Sequence, residues 1–194
     1  MFIVFPRIRL RVSVFAIPIF LLMLWLEGIE AFAAIMISAA VHELGHLFMI
    51  KRLGYRIRRF DLMPMGAVIV VPEGIPDNDE LKIALSGPFS SLIMLFLSAV
   101  CFCVFYNAVA LLAVLINLVL SLFNLLPIKK LDGGKALWCY LSDKQKNAER
   151  ICSAASLCAK ILFLLVSFAL YYLSECNFGV LILLFSLNLQ LLGK

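Results

Sequence analysis

The sequence predicts an all-α polytopic membrane protein with about six transmembrane helices and a short β-hairpin between the second and third spans. Of its 194 residues, 64% are hydrophobic and 15% are charged, and the mean hydropathy is +1.06. Ordinary soluble domains are about 45–50% apolar and about 25% charged. A globule of this size has too little interior to hide so many apolar side chains. The composition therefore argues against a soluble enzyme, a nucleic-acid-binding protein and a disordered chain.

Six apolar runs carry the prediction of the spans. A helix needs about 20 apolar residues to cross a bilayer, and each run is long enough when tilt is allowed. The polar segment 73–80 contains acidic residues that suit the N-terminus of the third helix. The runs cover residues 12–26, 31–50, 83–106, 108–126, 151–173 and 178–192.

The basic residues give the orientation of these spans. Arg7, Arg9 and Arg11 precede the first run, and Lys and Arg are concentrated on the cytoplasmic side of membrane proteins. The connections at 27–30, near Asn107 and at 174–177 contain no Lys or Arg, whereas the alternate connections are rich in both. This asymmetry predicts a multi-pass protein of the cell membrane with both termini in the cytoplasm.

A secretory signal peptide is the alternative interpretation of the first run. The three arginines, the apolar stretch and Ala31-Phe32-Ala33 are typical of such a signal and its cleavage site. Cleavage there would remove the beginning of the second helix, because only a few residues separate the two runs. An uncleaved first span is therefore preferred.

Residues 56–71 have the pattern of a strand, a turn and a second strand. Pro64 and Gly66 supply the turn, and the second arm is rich in β-branched residues. A hairpin exposed to lipid would leave backbone groups unpaired, so it must pack on protein or line a wet cavity. An ordinary interfacial loop is the alternative.

The second run ends in an H-E-x-x-H pattern formed by His42, Glu43 and His46, the two histidines being the only ones in the sequence. Residues four apart on a helix lie on one face, so the two imidazoles are positioned to bind one metal ion. A glutamate inside a span is costly unless it has a partner or a role. The alternative is a polar helix contact in which these side chains satisfy one another.

A catalytic zinc site needs three protein ligands and one open position. Asp132 is the candidate for the third ligand, because the second and fourth spans run in the same direction. Their cytoplasmic ends therefore carry His42, His46 and Asp132 at a similar depth. Pro127 disrupts the fourth helix near its end, and the two glycines after the aspartate allow the backbone to turn.

With these motifs the chain resembles the site-2 proteases, a family of intramembrane zinc metallopeptidases. The H-E-x-x-H helix, the Gly87-Pro88 pair and an N-x-x-P-x-x-x-x-D-G segment starting at Asn124 occur in the order found in that family. The resemblance covers nearly the whole chain.

The sequence departs from the family pattern at two places. The family's G-P-x-x-N has Asn where this chain has Ser91, and prolines common before the aspartate are replaced by Lys129 and Lys130. Both departures concern the substrate side more than the metal. The small residues between 86 and 91 equally suit a close approach of two membrane helices.

The resemblance implies one catalytic Zn²⁺ ion with His42, His46 and Asp132 as its ligands. It implies that Glu43 is the catalytic base and that Asn124 is a polar group that positions or polarises the peptide bond. The expected reaction is hydrolysis of a peptide bond in or next to a transmembrane segment, near the cytoplasmic side of the membrane.

The second arm of the hairpin is the candidate substrate-binding segment. A helical substrate must unwind locally to expose its carbonyl groups, and pairing with a strand replaces the backbone hydrogen bonds lost on unwinding. The residues of this arm are Gly66, Ala67, Val68, Ile69 and Val70.

The chain resembles a minimal form of the sporulation branch of the family, whose best-known member processes a pro-sigma factor. A sigma-factor precursor, an anti-sigma factor and a signal-peptide remnant are all open as substrates. The expected partners are the lipid bilayer of a bacterial cell, a membrane-associated substrate and regulatory membrane proteins, without nucleic acid. We expect one integral-membrane domain over 1–194, with no PDZ and no CBS domain.

Two functions from other classes remain as alternatives. A zinc or proton transporter could use the same His42, Glu43, His46 and Asp132, but a transporter is expected to place polar groups at several depths. A catalytically inactive membrane binding protein is the second alternative, and the complete set of ligands and base argues against it.

Overall fold

The computed structural model describes residues 2–5, 10–14, 16–63, 66–142 and 144–173. The chain divides into two compact units, Met1–Asn124 and Leu125–Lys194, and a single domain over 1–194 stays a prediction. Within the described ranges the backbone forms four short strands and five helices. The strands are β1 (Phe2–Phe5), β2 (Leu10–Ser13), β3 (Arg59–Met63) and β4 (Gly66–Val70), and the helices are α1 (Ala16–Arg52), α2 (Asp77–Phe105), α3 (Ala108–Asn124), α4 (Asp132–Ser142) and α5 (Ala148–Leu173).

Helix α1 is interrupted at Gly28, whose φ of 77° and ψ of 170° are not helical. The ring centroids of Phe20 and Phe32 lie 6.5 Å apart, on either side of this interruption. Twelve residues of straight helix would separate them by about 18 Å along the axis, so the chain folds back at Gly28. Glycine adopts this positive φ at little cost because it has no Cβ. The reversal falls inside the 27–30 connection that the sequence predicts between the first two spans.

Helix α2 begins where the acidic residues predict a helix start. Asp77, Asp79 and Glu80 lie in its first turn, where the positive end of the helix dipole favours negative charge. The Tyr55 hydroxyl donates a hydrogen bond of 2.9 Å to Asp79 Oδ2, and this bond raises the pKa of Tyr55. The turn after α1 is therefore fastened to the start of α2.

A two-residue turn joins α2 to α3. Tyr106 has a left-handed φ of 48°, and its N–H donates to the carbonyl of Phe102 at 2.8 Å. Asn107 Oδ1 accepts the N–H of Val109 at 2.7 Å and caps α3. These bonds satisfy backbone groups at both helix ends, at the place where the sequence predicts a bend.

The four strands form one sheet in the order β1-β2-β3-β4. Strands β3 and β4 pair antiparallel, with Asp61 opposite Val68, so the predicted hairpin is confirmed. Strand β2 lies parallel to β3, and β1 pairs antiparallel with β2. The prediction of a helix from residue 12 is therefore wrong at its beginning, because residues 10–13 pair with β3 and the helix begins at Ala16.

A polar contact joins α1 and α3 inside the first unit. Asn117 Nδ2 donates to Ser38 Oγ and to the carbonyl of Ala113, both at 2.8 Å. Ser121 Oγ donates to the carbonyl of Asn117 at 2.8 Å, and Ser38, Asn117 and Ser121 are fully buried. Because Ser38 is one turn before His42, α3 packs on the face of α1 that carries the histidines.

The outward helix faces are apolar, as lipid requires. Trp25, Phe48 and Phe96 are 80%, 63% and 68% exposed. Three described helices are long and apolar enough to cross a membrane, namely α1, α2 and the part Ala148–Phe168 of α5, and α3 is a shorter apolar helix. Six spans stay a prediction, and the predicted sixth run, 178–192, lies outside the described residues.

In the second unit, the loop 125–131 leads into α4. Ile128 is its buried anchor, with 1% exposed. A Cβ on Gly133 would overlap the carbonyl of Leu125, and a Cβ on Gly134 would overlap the carbonyl of Ile128. The two glycines therefore allow the loop to fold against the first turn of α4, which begins at Asp132.

Candidate metal centre

His42 and His46 lie one turn apart on α1, as the H-E-x-x-H pattern predicts. Their ring centroids are 5.1 Å apart and their planes meet at 80°. Both residues are buried, with 4% and 8% exposed. The structure therefore brings the two imidazoles together inside the first unit, away from the lipid-facing surface of α1.

Helix α2 holds each imidazole through its Nδ1 atom. His46 Nδ1 lies 2.8 Å from the carbonyl oxygen of Ile83, and because that oxygen only accepts, Nδ1 carries the proton. The lone pair of the neutral ring then lies on Nε2, the atom that binds a metal. His42 Nδ1 lies 2.9 Å from Oγ of the fully buried Ser91. Metal-binding histidines usually donate their second N–H to such a partner, so both rings have the arrangement of metal ligands.

Small residues allow α1 and α2 to approach closely at this point. A Cβ on Gly45 would lie 2.5 Å from the Ser86 carbonyl oxygen and from Ser90 Oγ, and a Cβ on Gly87 would overlap the His46 ring. The interpretation of the 86–91 segment as a close approach of two helices is therefore confirmed, whereas a substrate-side role of its departure from the family pattern stays a prediction. The small residues of this segment bring two helices together, and the same approach places α2 against the imidazoles.

Glu43 is half-buried on the same turn of α1. Consecutive helical residues are about 100° apart around the axis, so its side chain leaves the helix beside the two histidines and not in line with them. This position suits a carboxylate that acts next to a metal and does not bind it. Its role as catalytic base stays a prediction.

Asp132 belongs to the second unit, where it is the first residue of α4 and is 7% exposed. The N-terminus of a helix carries partial positive charge and stabilises a carboxylate. Lys135 Nζ, one turn along α4, lies 3.8 Å from Asp132 Oδ1. The surroundings of Asp132 therefore suit an ionised carboxylate, which is the form that binds a metal.

Asn124 is the last residue of α3 and is half-buried. Its Nδ2 donates to the carbonyl of Leu120 at 2.9 Å, so the amide is engaged with its own helix. The helix ends here, two residues before the predicted end, because Pro127 disfavours a helical conformation in the residue before it. A role of Asn124 toward the peptide bond stays a prediction.

The predicted substrate-binding segment, Gly66–Val70, forms β4, the last strand in the order of the sheet. An edge strand presents backbone N–H and C=O groups that can pair with another extended chain. No further strand pairs with β4 in the described part of the chain, and Val68 is 44% exposed. The geometry is therefore compatible with strand addition at this edge.

Sequence reasoning did not identify the two groups that hold the imidazoles. The Ile83 carbonyl leaves no mark in the sequence, because every residue has one. Ser91 occupies the position where the site-2 proteases have Asn, and both side chains offer an oxygen that accepts a hydrogen bond. An oxygen that accepts hydrogen bonds at position 91 was therefore the feature of the sequence that could have identified Ser91 as a partner of an imidazole.

Comparisons with known proteins agree with this geometry. The model of Peptidase family M50 matches residues 30–108 and 98–167. The chain belongs to peptidase family M50. Among relatives in this family, a zinc metalloprotease of Methanocaldococcus jannaschii is 33% identical over 144 residues, which are 72% of this chain and 42% of that protein. Stage IV sporulation protein FB of Bacillus subtilis is 30% identical over 135 residues, which are 66% and 47% of the two chains.

A solved structure gives the same family assignment. The site-2 protease from Methanocaldococcus jannaschii matches this M50 chain with a TM-score of 0.65 and 28% identity, covering 97% of this chain and 91% of that one. The predicted resemblance to the site-2 proteases is confirmed. The M50 chain spans less than half the length of the two curated relatives it matches.

Proposed function

We propose that this M50 membrane protein is an intramembrane zinc metalloprotease that hydrolyses a peptide bond in or next to a transmembrane segment of a membrane-associated protein. The observation that carries the proposal is the buried pair His42 and His46, with Nδ1 of each ring engaged by α2. Nε2 of each ring is then the atom that suits a metal. Zinc metalloprotease relatives in the same family support this function.

Three residues would hold one Zn²⁺ ion: His42 and His46 through Nε2, and Asp132 through a carboxylate oxygen. Two imidazoles and one carboxylate match the ligand number and ligand types of catalytic zinc sites, which keep a fourth position open. All three residues are buried. Bound zinc supplies a polarised scissile carbonyl and a water whose pKa is lowered to about 7.

Glu43 would take a proton from the attacking water and return it to the leaving nitrogen. Its place directly after His42 supports this role, because one rigid turn of α1 carries both side chains. Asn124 would donate an amide N–H to the peptide carbonyl. Its Nδ2 carries two N–H donors, and the bond to the carbonyl of Leu120 uses one of them.

The substrate would pair in an extended conformation with β4. The edge position of Gly66–Val70 supports this binding mode, since the backbone groups on the outer side of that strand replace those that the substrate loses on unwinding. A sigma-factor precursor or an anti-sigma factor is the proposed substrate class. The similarity to Stage IV sporulation protein FB supports it.

The chain would cross a bacterial cell membrane six times, with both termini and the metal site toward the cytoplasm. The reversals at Gly28 and at Tyr106 support this arrangement, because each separates two apolar segments. The absence of Lys and Arg from the sequence at 27–30, near Asn107 and at 174–177 supports the orientation.

The proposed function is tested by co-expression with tagged single-span or membrane-associated proteins of the same cell. We compare the wild type with Glu43→Gln and with Glu30→Gln, an exposed glutamate on the same helix. Wild type and Glu30→Gln should release a cleaved product, whereas Glu43→Gln should release none, because an amide cannot accept the water's proton. Zinc content should be equal in all three, because neither glutamate is a ligand.

More than a few per cent of residual cleavage in Glu43→Gln would overturn the assignment of the base. Zinc uptake by vesicles that contain the wild-type protein, together with no cleavage of any candidate, would favour the transporter. Zinc binding with neither uptake nor cleavage would favour the inactive binding protein.

A further inference from the structure

We propose that Ser91 is a positioning residue that determines which edge of the His42 imidazole faces the metal. The inference rests on the proposed function, because it assigns Ser91 a role toward the zinc ion that His42 would hold. Ser91 lies on α2 and is fully buried, and its Oγ is 2.9 Å from His42 Nδ1. No sequence motif assigns this contact.

The backbone around His42 is contacted separately from its ring, by Ser90, the residue before Ser91 on α2. Ser90 Oγ lies 2.9 Å from the carbonyl oxygen of Val41 and 3.4 Å from that of His42. It also lies 2.7 Å from the carbonyl oxygen of Gly87 on its own helix. The single hydroxyl proton of Ser90 is shared among these carbonyl oxygens and links α2 to this turn of α1. Because the backbone of His42 lies inside α1, the main freedom left to His42 is rotation of its side chain.

Rotation about χ2 decides whether His42 can bind a metal. The χ2 torsion of histidine is broad and roughly two-fold, so the ring has two orientations half a turn apart. The half-turn exchanges Nδ1 with Cδ2 and Nε2 with Cε1. Only the orientation with Nδ1 toward Ser91 presents Nε2 to the metal, since the other presents a carbon atom.

The same contact is compatible with the tautomer that binds a metal. A serine hydroxyl both donates and accepts hydrogen bonds, so Ser91 Oγ can accept the Nδ1 proton of His42. The lone pair of the neutral ring then lies on Nε2 and can bind zinc. Loss of the hydroxyl therefore weakens metal binding by removing a partner of Nδ1 in the orientation that presents Nε2.

His46 shows why Ser91 is the informative position. The ring of His46 is held by the backbone carbonyl of Ile83, which no side-chain substitution removes. His42 Nδ1 contacts a side-chain hydroxyl, which alanine deletes. The metal affinity of the two-histidine pair should therefore respond strongly to one serine on α2.

Ser98→Ala is the matched control. Ser98 is on the same helix and is 6% exposed, and its Oγ donates to the carbonyl of Met94 at 2.7 Å. Its bond thus lies within α2, whereas that of Ser91 reaches an imidazole. Both variants delete one buried hydroxyl from α2.

The experiment measures the zinc dissociation constant of the full chain in lipid nanodiscs by competition with a chelator. Ser91→Ala should weaken zinc binding by about 10- to 100-fold, and Ser98→Ala by less than about threefold. Co²⁺ in place of zinc gives a second readout, because its visible d–d bands report ligand geometry. The bands should change in Ser91→Ala and stay unchanged in Ser98→Ala.

Equal zinc affinity in the two variants, whether unchanged or equally weakened, would overturn the inference. If Ser91→Ala does not fold, Ser91→Gly is measured, because it also deletes the hydroxyl and adds neither bulk nor a metal-binding atom to the buried position. Failure of both to fold beside a folded Ser98→Ala would show a structural role and also overturn it. A wild-type chain that binds no zinc would instead refute the proposed function, so the two failures are distinguishable.

Discussion

Gly87→Ala tests whether the packing of α2 against α1 is also what shapes the metal site. A Cβ at position 87 would overlap Nε2, Cε1 and Cδ2 of His46. Nonbonded carbon atoms keep about 3.5–4.0 Å apart, so the imidazole would have to move by about 1 Å or more. That movement would also break the 2.8 Å hydrogen bond between His46 Nδ1 and the carbonyl of Ile83.

The expected loss follows from these two effects. Overpacking by one methyl group destabilises a protein by about 1–3 kcal/mol. Misplacing a metal ligand and its hydrogen bond by about 1 Å should lower zinc affinity by about 100-fold or more. Chelator competition measures the affinity, and thermal unfolding of the metal-free protein measures the stability.

Gly45→Ala is the control for this prediction. Its Cβ would lie 2.5 Å from the Ser86 carbonyl oxygen and from Ser90 Oγ, so it also forces α1 and α2 apart, yet its three nearest neighbours include neither imidazole. Both variants should destabilise the metal-free protein, and Gly87→Ala should lose at least about tenfold more zinc affinity than Gly45→Ala. Zinc affinity of Gly87→Ala within about threefold of the wild type would refute the reasoning.

Two further substitutions test other parts of the molecule. Asp132→Ala should lower zinc content and proteolysis together, because it removes the proposed third ligand. Unchanged zinc affinity in the chelator assay would mean that another residue supplies that ligand. Asn117→Ala should lower the free energy of unfolding by only about 0.5–1 kcal/mol in a denaturant titration, with no change in zinc affinity. The loss of stability is small because two effects oppose each other. The substitution removes the bond to Ser38, but it also removes Asn117 Oδ1, a buried oxygen without a partner among the described residues. A loss of stability above about 2 kcal/mol would contradict this account.

The helical reversals could be predicted because they interrupt the apolar pattern. Gly28 stands between two glutamates, and Asn107 is the polar residue between two apolar runs. The strand Leu10–Ser13 was missed because its apolar residues continue into those of the first helix. The alternation of apolar and basic residues in Ile8-Arg9-Leu10-Arg11-Val12 has the period of a strand and was the available signal.

Helix α4 was also missed, for a different reason. Two of its first three residues are Gly133 and Gly134, which lower intrinsic helix propensity. The structure shows that both are needed to admit the carbonyls of the preceding loop. The requirement to pack against the preceding loop therefore outweighs intrinsic helix propensity at these two positions.

At the metal site, the sequence predicts the contacts within one helix but not the contacts between two helices. The alignment of His42 with His46 follows from helix periodicity alone, so the sequence was enough. The partners of their Nδ1 atoms, Ser91 and Ile83, are 49 and 37 residues away. To find them, one must know which face of α2 packs against α1. That face is determined by Gly45 and Gly87, because the helices approach closely only where these residues lack a Cβ.

The contacts that stabilise this pair of helices and the contacts that orient the ligands are therefore largely the same contacts. Between helices in lipid there is no hydrophobic driving force, so association depends on close packing of small residues and on interhelical hydrogen bonds. Gly45 and Gly87 provide the first, while Ser90 and Ser91 contribute to the second. Because two polar imidazoles buried in a membrane protein must be satisfied internally, their hydrogen bonds to α2 offset their desolvation and leave Nε2 of each ring as the atom that would bind a metal. Substitutions that loosen this interface should accordingly reduce stability and metal affinity together, whereas loss of the Ser91 hydroxyl should reduce metal affinity far more than stability.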